Sequence, residues 1–97
     1  MIASFGDRAT EALYHGVRGK AVRRIPLQIT AVAVRKLDML NSARALQDLL
    51  QPPGNRLEAL RGDLRGFHSI RINEQWRIVF RWEAGEAREV SIVDYHR

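Results

Sequence analysis

The chain has 97 residues, 45% of them apolar, enough for one buried core and too few for two, so residues 1–97 read as a single domain. It has no cysteine, which excludes disulfides, thiolate metal sites and a cysteine nucleophile. Lys and Arg number 16 against 11 Asp and Glu, and the resulting +5 draws a small domain toward polyanions, although a merely solvated basic surface would give the same count. Lys20 and Lys36 are the only lysines; the planar fork of arginine suits phosphate better than a point charge does. The opening Met1–Asp7 lacks a basic leader followed by an apolar run. The longest apolar stretch, around 29–34, falls far short of the roughly 20 residues a membrane span needs. The expectation is a soluble, cytoplasmic protein with no membrane partner.

In chain order, Met1–Phe5 reads as a short first strand. Asp7 can cap a helix from Arg8 to His15 that Gly16 stops, and Gly16–Arg24 reads as a basic loop. Pro26 suits the first turn of a longer helix, where Leu27, Ala31, Val34, Leu37 and Leu40 fall at helical spacing with Arg35, Lys36 and Asp38 outside. Ser42 can cap one more turn, Leu46–Leu50, and Pro52-Pro53-Gly54-Asn55 ends the helical half. The period then changes from helix to strand. His68, Ile70 and Ile72 alternate with Phe67, Ser69 and Arg71; Trp76, Ile78, Phe80 and Trp82 alternate with Arg77, Val79 and Arg81. Turns fall at Asn73–Gln75 and Glu83–Ala87, and Arg88–Tyr95 is the last strand. Helices first, then an antiparallel meander, define an α+β class.

Closing the first hairpin puts Ile72 opposite Trp76, Ile70 opposite Ile78 and His68 opposite Phe80, all on one apolar face for the helices. The other face carries Arg71 beside Arg77, Ser69 beside Val79, and Phe67 beside Arg81. Closing the second sets Phe80 against Val90 and Ile78 against Ile92, with Arg81 meeting Glu89, Val79 meeting Ser91 and Gln75 meeting Tyr95 on the outer face. Arg71, Arg77, Arg81 and Tyr95 are thereby expected on one surface. A one-residue slip would turn the arginines into the core. Outward arginines on a sheet are more often simply solvated, but three beside a phenol also make a phosphate-binding surface.

Of the three histidines, His15 ends a helix, where a cation favours the dipole, and His68 falls on the apolar face. His96 follows Asp94 and Tyr95 at the end of a strand with basic neighbours. No Gly-rich phosphate loop, zinc spacing, nucleophile elbow, dinucleotide fingerprint or acidic cluster appears, so neither metal nor cofactor is expected. Acid–base chemistry beside fixed positive charge fits RNA, which carries its own nucleophile in the 2′-hydroxyl.

Pro-Pro-Gly-Asn-Arg-Leu-Glu at 52–58, Leu60-Arg61-Gly62-Asp63, His68-Ser69-Ile70-Arg71-Ile72-Asn73, Gln75-Trp76-Arg77-Ile78 and the closing Ile92-Val93-Asp94-Tyr95-His96 resemble the HigB toxins of the RelE superfamily, particularly the GraT-like branch. The opening Met-Ile-x-Ser-Phe fits as well, so the resemblance covers nearly the whole chain. It implies a RelE-like microbial RNase fold, two or three N-terminal helices on a curved antiparallel sheet. It also implies cleavage of mRNA in the ribosomal A site beside 16S rRNA, leaving a 2′,3′-cyclic phosphate. The partner implied is a helix-turn-helix antitoxin, through which alone the protein would reach operator DNA. Asp94, Tyr95 and His96 match the family's functional C-terminal triplet, Arg77 its strand arginine, and Arg61 a basic residue before Gly-Asp. Glu58 stands where many HigB toxins have histidine, as it does in the GraT-like branch. The site expected is therefore His96, Tyr95, Asp94, Arg77 and Glu58 for chemistry, with Arg61, Arg71 and Arg81 for phosphate and Tyr95 or Trp82 for base stacking. Base and acid are left open among Glu58, Asp94, His96 and Tyr95. A non-catalytic RNA- or ribosome-binding module and a transcriptional co-regulator acting through its antitoxin are the alternatives.

Overall fold

Asp7 begins the first helix as its side chain predicts. In a computed structural model, which describes residues 1–95, its Oδ1 accepts from the Thr10 N–H at 2.8 Å and its Oδ2 from Arg24 at 2.7 Å. The helix, α1, spans Arg8–Tyr14; His15 closes it and Gly16, at φ +75, turns the chain away. The 16–24 segment holds one 3₁₀ turn, Lys20–Val22.

Helix α2 spans Leu27–Ser42, but its buried stripe is Ile29, Ala33, Leu37 and Leu40. Of the expected stripe, Leu27 is 86% exposed and Ala31 also faces out. The first half of α2 is apolar nearly all round, so its period is legible while its phase is not. Lys36, expected outside, is buried at 7% exposure. Ser42 belongs to α2 itself and caps nothing further. The next turn, Leu46–Leu50, is 3₁₀, and the Asp48 carboxylate accepts there from the backbone N–H groups of Arg44 and Ala45 at 2.9 and 3.1 Å. Those two bonds favour the ionised form and hold Asp48 below the usual carboxylate range.

Four antiparallel strands follow in chain order: β1 Glu58–Ala59, β2 Phe67–Arg71, β3 Trp76–Glu83 and β4 Glu86–Asp94. Asn73 closes the β2–β3 turn by accepting from the N–H groups of Gln75 and Trp76. The register there is the expected one, with His68 opposite Phe80, Ile70 opposite Ile78 and Arg71 opposite Arg77. The second turn is tighter than Glu83–Ala87. Ala84 and Gly85, at φ +51 and +76, join paired Glu83 and Glu86, the backbone a two-residue hairpin needs. Arg81 is therefore opposite Arg88, not Glu89. A bulge at Glu89, φ +52, absorbs the extra residue, so that Val79–Ser91 and Ile78–Ile92 pair as expected. The bulge also lets Ala87 and Val90 both face the core.

The expected first strand reduces to two parallel bridges, Ile2 to Ala87 and Phe5 to Val90, which cover the free edge of β4. Thr10 continues that cover: its Oγ1 accepts from the Ile92 N–H at 2.9 Å. The core lies between the helices and one face of the sheet, where Leu37, Leu40, Leu49, Ile70, Ile78, Phe80, Val90 and Ile92 have no exposed surface. Two helices on a four-stranded antiparallel sheet meet the α+β expectation.

Candidate active site

Directly paired residues share a face, so Glu58, Ser69, Val79 and Ser91 form one row across the outer side of the sheet, and Arg71, Arg77 and Val93 the next. This face is not simply solvated. Ser69 and Val79 are buried, and Arg77 is only 7% exposed. The Tyr95 N–H donates to the Gln75 carbonyl at 2.6 Å, extending the ladder by one residue. That sets the phenol beside Arg77, whose guanidinium carbon lies 5.4 Å from the ring centroid. Arg56, Leu57, Glu58 and Arg77 line a pocket of about 200 Å³. It brings a carboxylate and two guanidiniums to one opening.

Arg56 is the site residue that sequence reading missed. It lies in the left-handed region at φ 47, ψ 54, a conformation costing a non-glycine residue on the order of 1–2 kcal/mol. Its N–H donates to the Pro53 carbonyl at 3.1 Å. Pro-Pro-Gly-Asn reads as a helix stop, and nothing local marks the arginine after it. The left-handed turn at Arg56, not strand alternation, sets where its side chain goes, so no sequence pattern places it beside Glu58.

Of the other expected residues, Arg71 stays beside Arg77 and the rest separate. Arg71 sits across from Arg77, with its Nη2 4.0 Å from the exposed Glu74 carboxylate, a weak contact. Arg61 is exposed at the start of the 3₁₀ turn Gly62–Leu64, outside the pocket lining. Arg81 shares the outer face but lies four residues along β3 from Arg77, about 13 Å at strand rise. Its Nε donates to Glu89 at 2.9 Å, and its guanidinium lies 4.2 Å from the Phe67 centroid. Side chains alternate along β4, so Asp94 takes the face opposite Tyr95, paired with Trp76 and accepting from Gln75 Nε2 at 3.1 Å. Trp82, a candidate for stacking on a base, is on the core face against Phe80. His96 lies outside the described residues.

His68 is on the core face, stacked on Phe80 at 6.0 Å, and burial pulls its pKa below the ordinary value. His15 packs edge-on against Phe5 and Tyr14. Among the described residues no three His, Asp or Glu side chains gather as a metal-holding set.

The fold is that of a known class of bacterial toxin. The toxin–antitoxin structure described as the YoeB-YefM complex from Staphylococcus aureus contains a chain that superposes at a TM-score of 0.60 and 16% identity, covering 100% of this chain and 99% of that one. The profile of the HigB-like toxin family, described as "RelE-like toxin of type II toxin-antitoxin system HigB", matches residues 3–96. Toxin HigB-1 of Vibrio cholerae serotype O1 is 44% identical over 97 residues, 100% of this chain and 99% of the relative. Endoribonuclease HigB of Proteus vulgaris is 29% identical over 97 residues, 99% and 100% of the two chains. The chain belongs to the HigB family of type II toxin–antitoxin toxins.

Proposed function

We propose that this toxin is an endoribonuclease that cleaves mRNA in the ribosomal A site by acid–base chemistry, without a metal ion. The observation carrying the reading is the pocket of Arg56, Glu58 and Arg77, flanked by Tyr95. Arg77, with Arg71 and Arg56, holds the scissile phosphate and offsets charge building on its oxygens. Glu58 takes the 2′-hydroxyl proton. The 2′-oxygen bonds to phosphorus, the bond to the 5′-oxygen breaks, and the Tyr95–His96 end of the chain protonates the leaving oxygen. The products are a 2′,3′-cyclic phosphate and a 5′-hydroxyl. Glu58 is favoured as base over Asp94 because it shares the pocket with Arg77, whereas Asp94 faces away. Arg61 and the remaining basic surface contact 16S rRNA.

An antitoxin partner follows from the family and from the toxin–antitoxin complexes that share the fold. In this reading it is a helix-turn-helix protein that alone reads the operator, and both proteins act in the cytoplasm. No helix among the described residues is long and apolar enough to cross a membrane.

The test expresses wild type, Arg77→Ala and Glu58→Gln and maps mRNA ends during translation. Wild type should create new ends carrying 5′-hydroxyls, and Arg77→Ala should cut them roughly 10²- to 10³-fold. Cleavage surviving in Arg77→Ala would remove the proposed site. Growth arrest with intact mRNA would point instead to a module that only binds the ribosome.

A further inference from the structure

Asn55, which precedes the pocket-lining Arg56 in the chain, and Lys36 of α2 are both buried, at 0% and 7% exposure, and the chemistry above uses neither. Lys36 Nζ donates to Asn55 Oδ1 at 2.6 Å. Asn55 Nδ2 points the other way, toward the carbonyls of Leu49 at 3.2 Å and Gln51 at 3.3 Å and the sulfur of Met39 at 3.1 Å. The Asn55 N–H donates to the Pro52 carbonyl at 2.9 Å. The next residue is Arg56, in its left-handed conformation, and Glu58 stands two further on.

An ammonium can only donate, so Lys36 dictates which way the Asn55 amide faces. With the oxygen held toward Lys36, the NH₂ group must face the 49–51 carbonyls, and that ties the 51–57 segment to α2. A neutral donor would do this less firmly than a charged one. Burial and the nearby charges of Arg35 and Arg71 all work against the ammonium, lowering its pKa. A cation kept at such a place needs a reason, and filling space is not one, because methionine would fill it without that penalty.

We propose that Lys36 is a positioning residue for cleavage: through Asn55 it fixes the backbone that presents Arg56 and Glu58 to Arg77. The inference rests on the reading of that pocket as the active site.

The test is a double-mutant cycle on mRNA cleavage with Lys36→Met, Arg56→Ala and both together, with melting temperature measured for each. Thr10→Val, which acts at the opposite edge of the sheet from β1, serves as the stability control. Lys36→Met should slow cleavage by at least about ten-fold, as misplacing a reacting group does. Because part of the Lys36 effect runs through Arg56, the double variant should lose less than the product of the two single losses, and Thr10→Val should cleave normally below its melting temperature. If Lys36→Met does not fold, Lys36→Gln, whose neutral amide donor holds Asn55 less firmly, should show a smaller loss in the same cycle that is again less than multiplicative with Arg56→Ala. Wild-type cleavage by the Lys36 variant, or losses that multiply in the double variant, would overturn the proposal. Arg77→Ala separates the failures. If that variant cleaves normally, the pocket reading is wrong; if it is inactive while Lys36→Met is normal, only the role of Lys36 falls.

Discussion

At the scale of single residues, the outer and inner faces give histidine and arginine opposite fates. His68 is held neutral by burial against Phe80, so the unfolded chain binds its proton more readily than the folded one does. Its stabilising contribution is complete above the ordinary pKa of about 6.5 and is lost as pH falls through the lower folded value. The melting temperature should therefore fall as pH drops below about 6.5, and less steeply in His68→Leu. Parallel curves for the two proteins would show that other groups set the acid limb. Thr10 is a second case where one atom decides. Thr10→Val keeps the shape but leaves the buried Ile92 N–H without its 2.9 Å partner, a loss of about 1–3 kcal/mol measurable by urea unfolding.

At the scale of elements, β4 depends on what lies along its free edge. A Cβ on Gly6 would come within 2.4 Å of Ser91 Oγ and 2.9 Å of the Glu89 carbonyl, so this is a close backbone approach that only glycine allows. Gly6→Ala should push residues 2–6 off the edge and lower stability by about 1–3 kcal/mol, with the amides of Gly6 and Val90 losing protection from hydrogen exchange. Unchanged protection would mean that Ser91 and the bulge at Glu89 give way instead of residues 2–6. The same elements show what the sequence could convey. The β2–β3 hairpin was legible to the residue because strict alternation meets an Asn turn, and the pleat then placed Arg77 and Tyr95 on one face. The bulge at Glu89 was not, since nothing about a glutamate announces positive φ. The phase of α2 was hidden by its apolar circumference, and the burial of Lys36 depends on an asparagine 19 residues away. Glu58 entered the site through family resemblance, because two-residue β1 is too short to carry a pattern of its own. Arg56 needed the turn geometry.

At the scale of the molecule, a net charge of +5 guarantees attraction to RNA but not where the phosphate sits. The structure divides the outer-face arginines into two kinds. Arg81 is engaged with Glu89 and Phe67, while Arg71 lies beside Arg77 with only a 4.0 Å contact to an exposed carboxylate. A guanidinium already satisfied by a carboxylate releases few counterions when RNA arrives, whereas one free to meet phosphate releases about 0.7 per contact on a single strand. Binding of an RNA carrying a 2′-deoxy residue at the scissile position, titrated across salt concentration, should distinguish them. Arg71→Ala should flatten the plot of log affinity against log salt by about 0.7, and Arg81→Ala should leave the slope as in wild type. The same flattening in both would mean that the whole outer face, not the Arg56–Glu58–Arg77 corner, tracks the RNA backbone. Cleavage chemistry would then be set by where the strand happens to pass Glu58 rather than by a built phosphate site.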